Sequence, residues 1–404
     1  MQEKIIPCPS RRFGRTELEI PILSLGGMRF QQSWTDMDME QISEEGQHNL
    51  EEILEFSVKN GLHHIETARH YGTSELQLGC GMQQIPDHKR ILQTKIPPRE
   101  DPSQFESELE ISFSNLQCKK LDLLSIHGLN LPEHLDQTIR PGGCLEVARR
   151  WQDRGLVGHI GFSTHGPTDL IVETIESDAF DYVNLHWYFI FQDNEPALAA
   201  ASKFDLGVFI ISPTDKGGHL HTPSDKLIKL CAPFHPIVFN DLFCLRDARV
   251  HSLSVGVSRI EDFALHFHAV SLLEKAHQLL PEVQQRLFNA AKEELGHEWI
   301  STWKEGLPSW DRTPGKINIP ILMWLYNLEK AWGMESYAKA RYSLLGHGSH
   351  WFPGANSDCL DEEVNEDSLK RALALSPWSH EIIQRLRELK NKFYGESSNR
   401  LANS

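Results

Sequence analysis

Short apolar runs over residues 62–66, 91–95 and 121–126 end on, or directly before, a polar group: Glu66, Lys95 and His127. Runs this short, separated by helical segments, predict buried parallel strands. In a closed β/α barrel the carboxyl ends of such strands converge on one face, so these three side chains are expected to meet there. Further strands are expected over 20–25, 158–163, 182–187, 207–212 and 252–256, which makes eight. Between them, 50–58, 103–116, 144–153 and 168–176 carry apolar residues at helical spacing, and Pro167 stands where a helix starts. This alternation predicts an α/β fold, a (β/α)8 TIM barrel.

One such barrel takes about 250 residues, so a chain of 404 has room for a second module. The expected division is a barrel over 1–275 and a helical extension over 276–404. Helical periodicity spans 272–291, running into the extension, and resumes at 317. A glycine-rich stretch covers 346–354, and an amphipathic helix is expected over 386–404 before a polar end.

With 40 Lys and Arg against 56 Asp and Glu, the net charge of −16 opposes general affinity for nucleic acid or anionic lipid. No stretch has the apolar length of a membrane span, and the opening Met1-Gln2-Glu3-Lys4 lacks the layout of a secretion signal. A cytoplasmic protein is expected. The cysteines Cys8, Cys80, Cys118, Cys144, Cys231, Cys244 and Cys359 are scattered, with no C-x-x-C pair, as reduced thiols are. Cys80, between Gly79 and Gly81, reads either as a reactive thiol or as a small packed residue, and no function is assigned to it.

The strand-end groups suit transfer of hydride to a carbonyl. Hydride arriving at carbon leaves charge on oxygen, and Tyr71 is the candidate proton donor if its pKa, about 10 when free, is brought toward the working pH. Lys95 favours phenolate, Glu66 holds Lys95 in place, and His127 polarises the carbonyl. The adjacent His63 and His64 point to opposite faces of a strand and cannot share an ion. A metal-dependent hydrolase could draw on His127, His165 and His186, but it leaves Tyr71 and Lys95 without a role, so no metal is expected.

The segment Ile65-Glu66-Thr67-Ala68 through Tyr71-Gly72-Thr73-Ser74-Glu75-Leu76-Gln77-Leu78-Gly79 resembles the signature of the aldo-keto reductases, over about residues 12–269. The resemblance implies a barrel that binds NADPH without a Rossmann motif, with a tetrad on Glu66, Tyr71, Lys95 and His127. Most of the family has aspartate at the position of Glu66. It further implies that Ser163 and Asn184 bond the nicotinamide carboxamide, and that residues 13–19 form a hairpin closing the bottom of the barrel. Where many members stack an aromatic ring on the nicotinamide this chain has Ile211, so that stacking is either lost or supplied from elsewhere, with Trp187 the candidate.

After the seventh strand, the glycine-bearing loop that carries Ser212, Pro213, Asp215 and Lys216 offers its backbone N–H groups and the Lys216 ammonium to a pyrophosphate. After the eighth, Gly256 and Arg259 reach the 2′-phosphate of NADP, or else Arg259 is an exposed helix cap. The extension resembles the tail of a bacterial subgroup with iron-sulfur clusters. A cluster takes about four thiolates, and only Cys359 remains there, so no cluster is expected. The tail is then kept for packing, for closure over substrate or for a protein partner. The favoured function is NADPH-dependent reduction of an aldehyde or ketone. The alternative is an NADPH-binding regulatory or interaction protein with slow turnover.

Overall fold

The structure is a computed structural model that describes residues 7–347 and 351–395. The expectations for residues 348–350, for the opening four residues and for the end beyond 395 lie outside the described residues. The described residues divide into two compact units, one of residues 7–217 with 237–277, the other of residues 218–236, 278–347 and 351–395.

The first unit is a closed barrel of eight parallel strands with helices between them. In chain order the strands are Leu23–Gly26, His64–Glu66, Ile91–Ile96, Leu121–His127, Val157–Ser163, Tyr182–Leu185, Gly207–Ile210 and Ser252–Val255. The eighth pairs with the first, Leu253 opposite Leu23, and closes the ring. The helix Thr168–Glu176 starts directly after Pro167, whose fixed φ suits that position.

The expected run over 20–25 is two strands. Ser10–Arg12 and Glu19–Pro21 form an antiparallel hairpin, and the chain breaks step at Ile22 before entering the barrel at Leu23. An unbroken apolar sequence hides this break, because hairpin and barrel strand are both buried here. The hairpin turn inserts Phe13 among Ile20, Ile91, Leu123, Tyr182 and Phe209, which fills one end of the barrel. Each aromatic so buried contributes roughly 1.5–3 kcal/mol of transfer free energy.

The period of two along each strand stacks the interior in layers. Above Phe13 lies a polar layer. His64 Nδ1 meets Ser24 Oγ at 2.7 Å and Ser24 meets Ser252 at 2.6 Å. Gln93 Nε2 donates to Ser125 Oγ at 2.9 Å, and Ser125 contacts the Tyr182 hydroxyl at 3.0 Å. Burial holds the His64 imidazole down to about 3. Two residues further along the same strands come Glu66, Lys95 and His127, joined at the same end by Ser163 and Asn184.

The second unit is helical, with most of Ala276–Leu295 together with Ile319–Trp332, Glu335–Leu344, Glu366–Ala372 and Ser379–Phe393 as its main described helices. Trp299 is buried at its centre, donating Nε1–H to Asn327 Oδ1 at 2.8 Å, with the Arg385 guanidinium 3.4 Å from the centre of its ring. The last described helix buries Ile382, Ile383, Leu386, Leu389 and Phe393, one face of an amphipathic pattern. It starts earlier than the expected 386. All seven cysteines are free thiols, and burial raises the pKa of Cys359. Among the described residues no three His, Cys, Asp or Glu side chains gather to hold a metal, and no single helix is long and apolar enough to cross a membrane.

Candidate active site

Lys95 reaches the barrel mouth from the third strand with its side chain buried. Its ammonium bonds Glu66 Oε2, donates to the Thr67 carbonyl at 2.6 Å, and turns toward Tyr71, lying 4.8 Å from the ring centre. Burial opposes the charge, but Glu66 and then Tyr71 outweigh it, and the pKa of Lys95 stands above its ordinary value. The other oxygen of Glu66 accepts from Ser254 Oγ at 2.7 Å. Glutamate therefore spans both partners, and the methylene that distinguishes it from aspartate costs no contact.

Tyr71 follows the second strand on a sharp turn. Gly72 has φ +52, and a Cβ there would sit 1.8 Å from the Ser33 carbonyl oxygen, so only glycine fits directly after the tyrosine. The His127 ring stands edge-on to Tyr71, centroids 5.8 Å apart at 87°. The structure thus brings all four tetrad candidates together. Burial, the largest influence, raises the Tyr71 pKa above its ordinary value, and Lys95, which lowers it as expected, offsets this only in part. The phenol keeps its proton at neutral pH.

The neighbouring strands carry Ser163 and Asn184, the two residues expected from the sequence to meet a nicotinamide. Ser163 pairs in register with His127 on one side and Asn184 on the other. Ser163 Oγ accepts from Gly128 N at 3.1 Å. Asn184 is wholly buried, yet neither its amide nitrogen nor its amide oxygen has a hydrogen-bond partner. A buried amide in that state is uncommon and calls for a ligand that bonds both atoms. A carboxamide, with one donor group and one acceptor, fits it.

The loop after the seventh strand is tight. Ser212 is left-handed at φ +51, its carbonyl accepts from Lys216 N at 3.0 Å, and the Pro213 carbonyl accepts from Asn240 Nδ2 at 3.0 Å. Lys216 Nζ lies 3.4 Å from both His165 ring nitrogens, while Asp215 is half-buried. Thr214 Oγ1 is buried without a partner. Beyond the eighth strand, Arg259 is 73% exposed and pairs with Asp262 at 3.1 Å, and Gly256 faces the Arg29 side chain, whose Nε lies 3.3 Å from where a Cβ would be.

Trp187 points outward and stacks on Phe243, centroids 5.9 Å apart, so it does not stand in for the missing aromatic at Ile211. Period-two parity makes this readable: Asn184 and His186 face in, Leu185 and Trp187 face out. His165 and His186 share a 2.6 Å hydrogen bond, and His186 also contacts the Tyr188 hydroxyl, which donates to the Ile211 carbonyl. Ser254 and Arg29 were missed from the sequence. Parity marks Ser254 as the last inward residue of its strand, but nothing local says that Glu66 lies opposite. A surface groove of about 720 Å³ along the outer helices, lined by Leu135, Ile139 and Val172, includes none of these side chains.

Comparison with known proteins agrees with the barrel fold. The model of the Aldo/keto reductase family matches residues 22–226, just over half of the chain. An aldo-keto reductase from Bacillus halodurans in its holo form is similar in fold, with a TM-score of 0.57 and 17% identity over 69% of this chain and 96% of that one. An aldo-keto reductase from Klebsiella pneumoniae in complex with NADPH gives a TM-score of 0.52 and 17% identity over 68% and 96%. A thermostable aldo-keto reductase in complex with the inhibitor epalrestat gives 0.56 and 21% over 68% and 99%. No curated protein matches. The family model covers seven barrel strands and every tetrad position, and on that match the chain belongs to the aldo/keto reductase family of oxidoreductases.

Proposed function

We propose that this chain is an NADPH-dependent reductase of aldehydes or ketones in which Tyr71 donates the proton. The observation that carries the reading is the buried Lys95 ammonium held between Glu66 and the Tyr71 ring, with His127 edge-on to the same ring. A reduced nicotinamide supplies the hydride when bound. Asn184 and Ser163 would hold its carboxamide, and Ser212, Pro213, Asp215 and Lys216 its pyrophosphate. Gly256 and Arg259 would take the 2′-phosphate.

This chain's residues handle the charge that develops on the substrate oxygen. Tyr71 gives its proton to that oxygen, and the resulting phenolate is stabilised by Lys95 at no cost in reorganisation, because the ammonium is already fixed. The raised Tyr71 pKa keeps the donor loaded at neutral pH. His127 donates to the same oxygen and orients the carbonyl. In the direction of alcohol oxidation the proton returns to Tyr71.

On this reading residues 1–275 are the catalytic barrel and 276–404 a helical extension kept for packing, closure over substrate or a partner. The complete tetrad favours an enzyme over a slow regulatory protein. NADPH oxidation with a panel of aldehydes, by the wild type and by Tyr71→Phe, tests this. Turnover lost in the variant with NADPH binding retained supports the mechanism, and equal turnover in both overturns it.

A further inference from the structure

The groove of about 720 Å³ on the outside of the barrel has no part in the mechanism above. It is lined by two helices of the first unit, Pro132–Ile139 and Thr168–Glu176, with Pro196 from the start of Glu195–Lys203. Leu135 and Ile139, one turn apart on the first helix, and Val172 on the second give it an apolar lining. Ile139 is 42% exposed, although a branched apolar side chain on a barrel helix is ordinarily covered. An exposed apolar patch rimmed by polar groups marks an interaction site.

The rim carries charge of one sign. Asp169, Glu173 and Glu176 follow one another at spacings of four and three residues along Thr168–Glu176, and all three line the groove, with no Lys, Arg or His among its lining residues. Like charges at these spacings destabilise a helix. None of the three has an ion-pair partner among the described residues. Cations stand on the adjoining surface but are committed elsewhere: Arg140 pairs with Glu100 and Asp136, and Arg249 with Glu195.

We propose that this groove docks a basic amphipathic helix of a partner protein, whose apolar face covers Leu135, Ile139 and Val172 and whose Lys or Arg side chains run along Asp169, Glu173 and Glu176. Charge complementarity sets the sign of the occupant. Its form follows from the backbone. The barrel is closed and the groove is walled by helices, so there is no strand edge for an extended peptide to join. Such a peptide would leave its own N–H and C=O groups unpaired over the apolar lining, whereas a helix bonds them internally. A second copy of this chain, with a net charge of −16, would bring like charge to the rim.

The probe is a labelled peptide of about 18 residues with leucine on one helical face and lysine on the other, titrated by fluorescence anisotropy against the full chain at physiological salt. Saturable binding of one peptide per chain is expected, weaker by about tenfold in Glu173→Lys with Glu176→Lys and weaker also in Ile139→Ser. A control, Glu55→Lys with Glu293→Lys, changes the net charge equally at exposed positions outside the groove and should bind as the wild type does. Equal losses in the groove pair and the control pair would reduce the effect to general charge attraction and overturn the proposal. Absent binding, or equal binding of a peptide of the same composition with leucine and lysine scrambled, would overturn it too. A wild-type dimer in sedimentation that Ile139→Ser disperses would overturn it in favour of a second copy.

Discussion

The two halves of the barrel mouth treat their buried polar atoms in opposite ways. On the tetrad side Glu66 uses both oxygens, on Lys95 and Ser254, and Lys95 bonds Glu66 and the Thr67 carbonyl while facing Tyr71. On the side proposed to hold the nicotinamide, the buried Asn184 has neither amide atom paired, and Thr214 Oγ1 is without a partner as well. The difference follows from charge. An unpaired buried ion costs several kcal/mol and shifts its protonation instead, whereas an unpaired neutral amide costs about 1–3 kcal/mol, which a fold can carry. The half proposed to handle the proton therefore has its buried charges paired within the protein, while the half proposed to bind cofactor leaves a neutral amide unpaired.

Breaking the complete half gives the largest effects. Tyr71→Phe removes the proton donor and should lower kcat by about 10²–10⁴-fold with NADPH affinity retained, as steady-state rates and a binding titration will show. Lys95→Met leaves Glu66 buried without its cation. Urea unfolding should record a loss of about 3–5 kcal/mol, and a loss under 1 kcal/mol would mean that the pair is not buried as described.

A smaller effect comes from the layer beneath, where burial holds His64 at about 3. The folded ring stays neutral while the unfolded chain takes up a proton below about 6.5. Stability is therefore full above that pH and falls as the pH drops toward 3. His64→Gln should flatten this acid limb in melting temperature against pH, and parallel curves for the two proteins would remove His64 from the account.

Much of this was readable beforehand because strand parity and strand ends are local properties. Glu66, Lys95, His127, Ser163 and Asn184 all sit at inward positions near the ends of apolar runs, and the structure gathers them at one end of the barrel. What escaped depends on distant contact. Ser254 needs the closure of the eighth strand on the first, the break at Ile22 is masked by burial on both sides of it, and residues 218–236 join a unit otherwise built from 278 onward. The Tyr71 pKa depends on packing in the same way: the ammonium that lowers it is visible in the sequence, but the desolvation that outweighs it arises only in the fold.

Asn184→Leu tests the contrast between the halves in a single protein, through an NADPH titration by tryptophan fluorescence and a thermal melt without cofactor. Replacing an unpaired buried amide with an apolar group of similar size removes a desolvation penalty and a cofactor contact together. The account predicts NADPH binding weaker by about tenfold or more and a melting temperature equal to or above that of the wild type. Unchanged binding with a lower melting temperature would contradict it, and would make Asn184 a structural residue of the barrel.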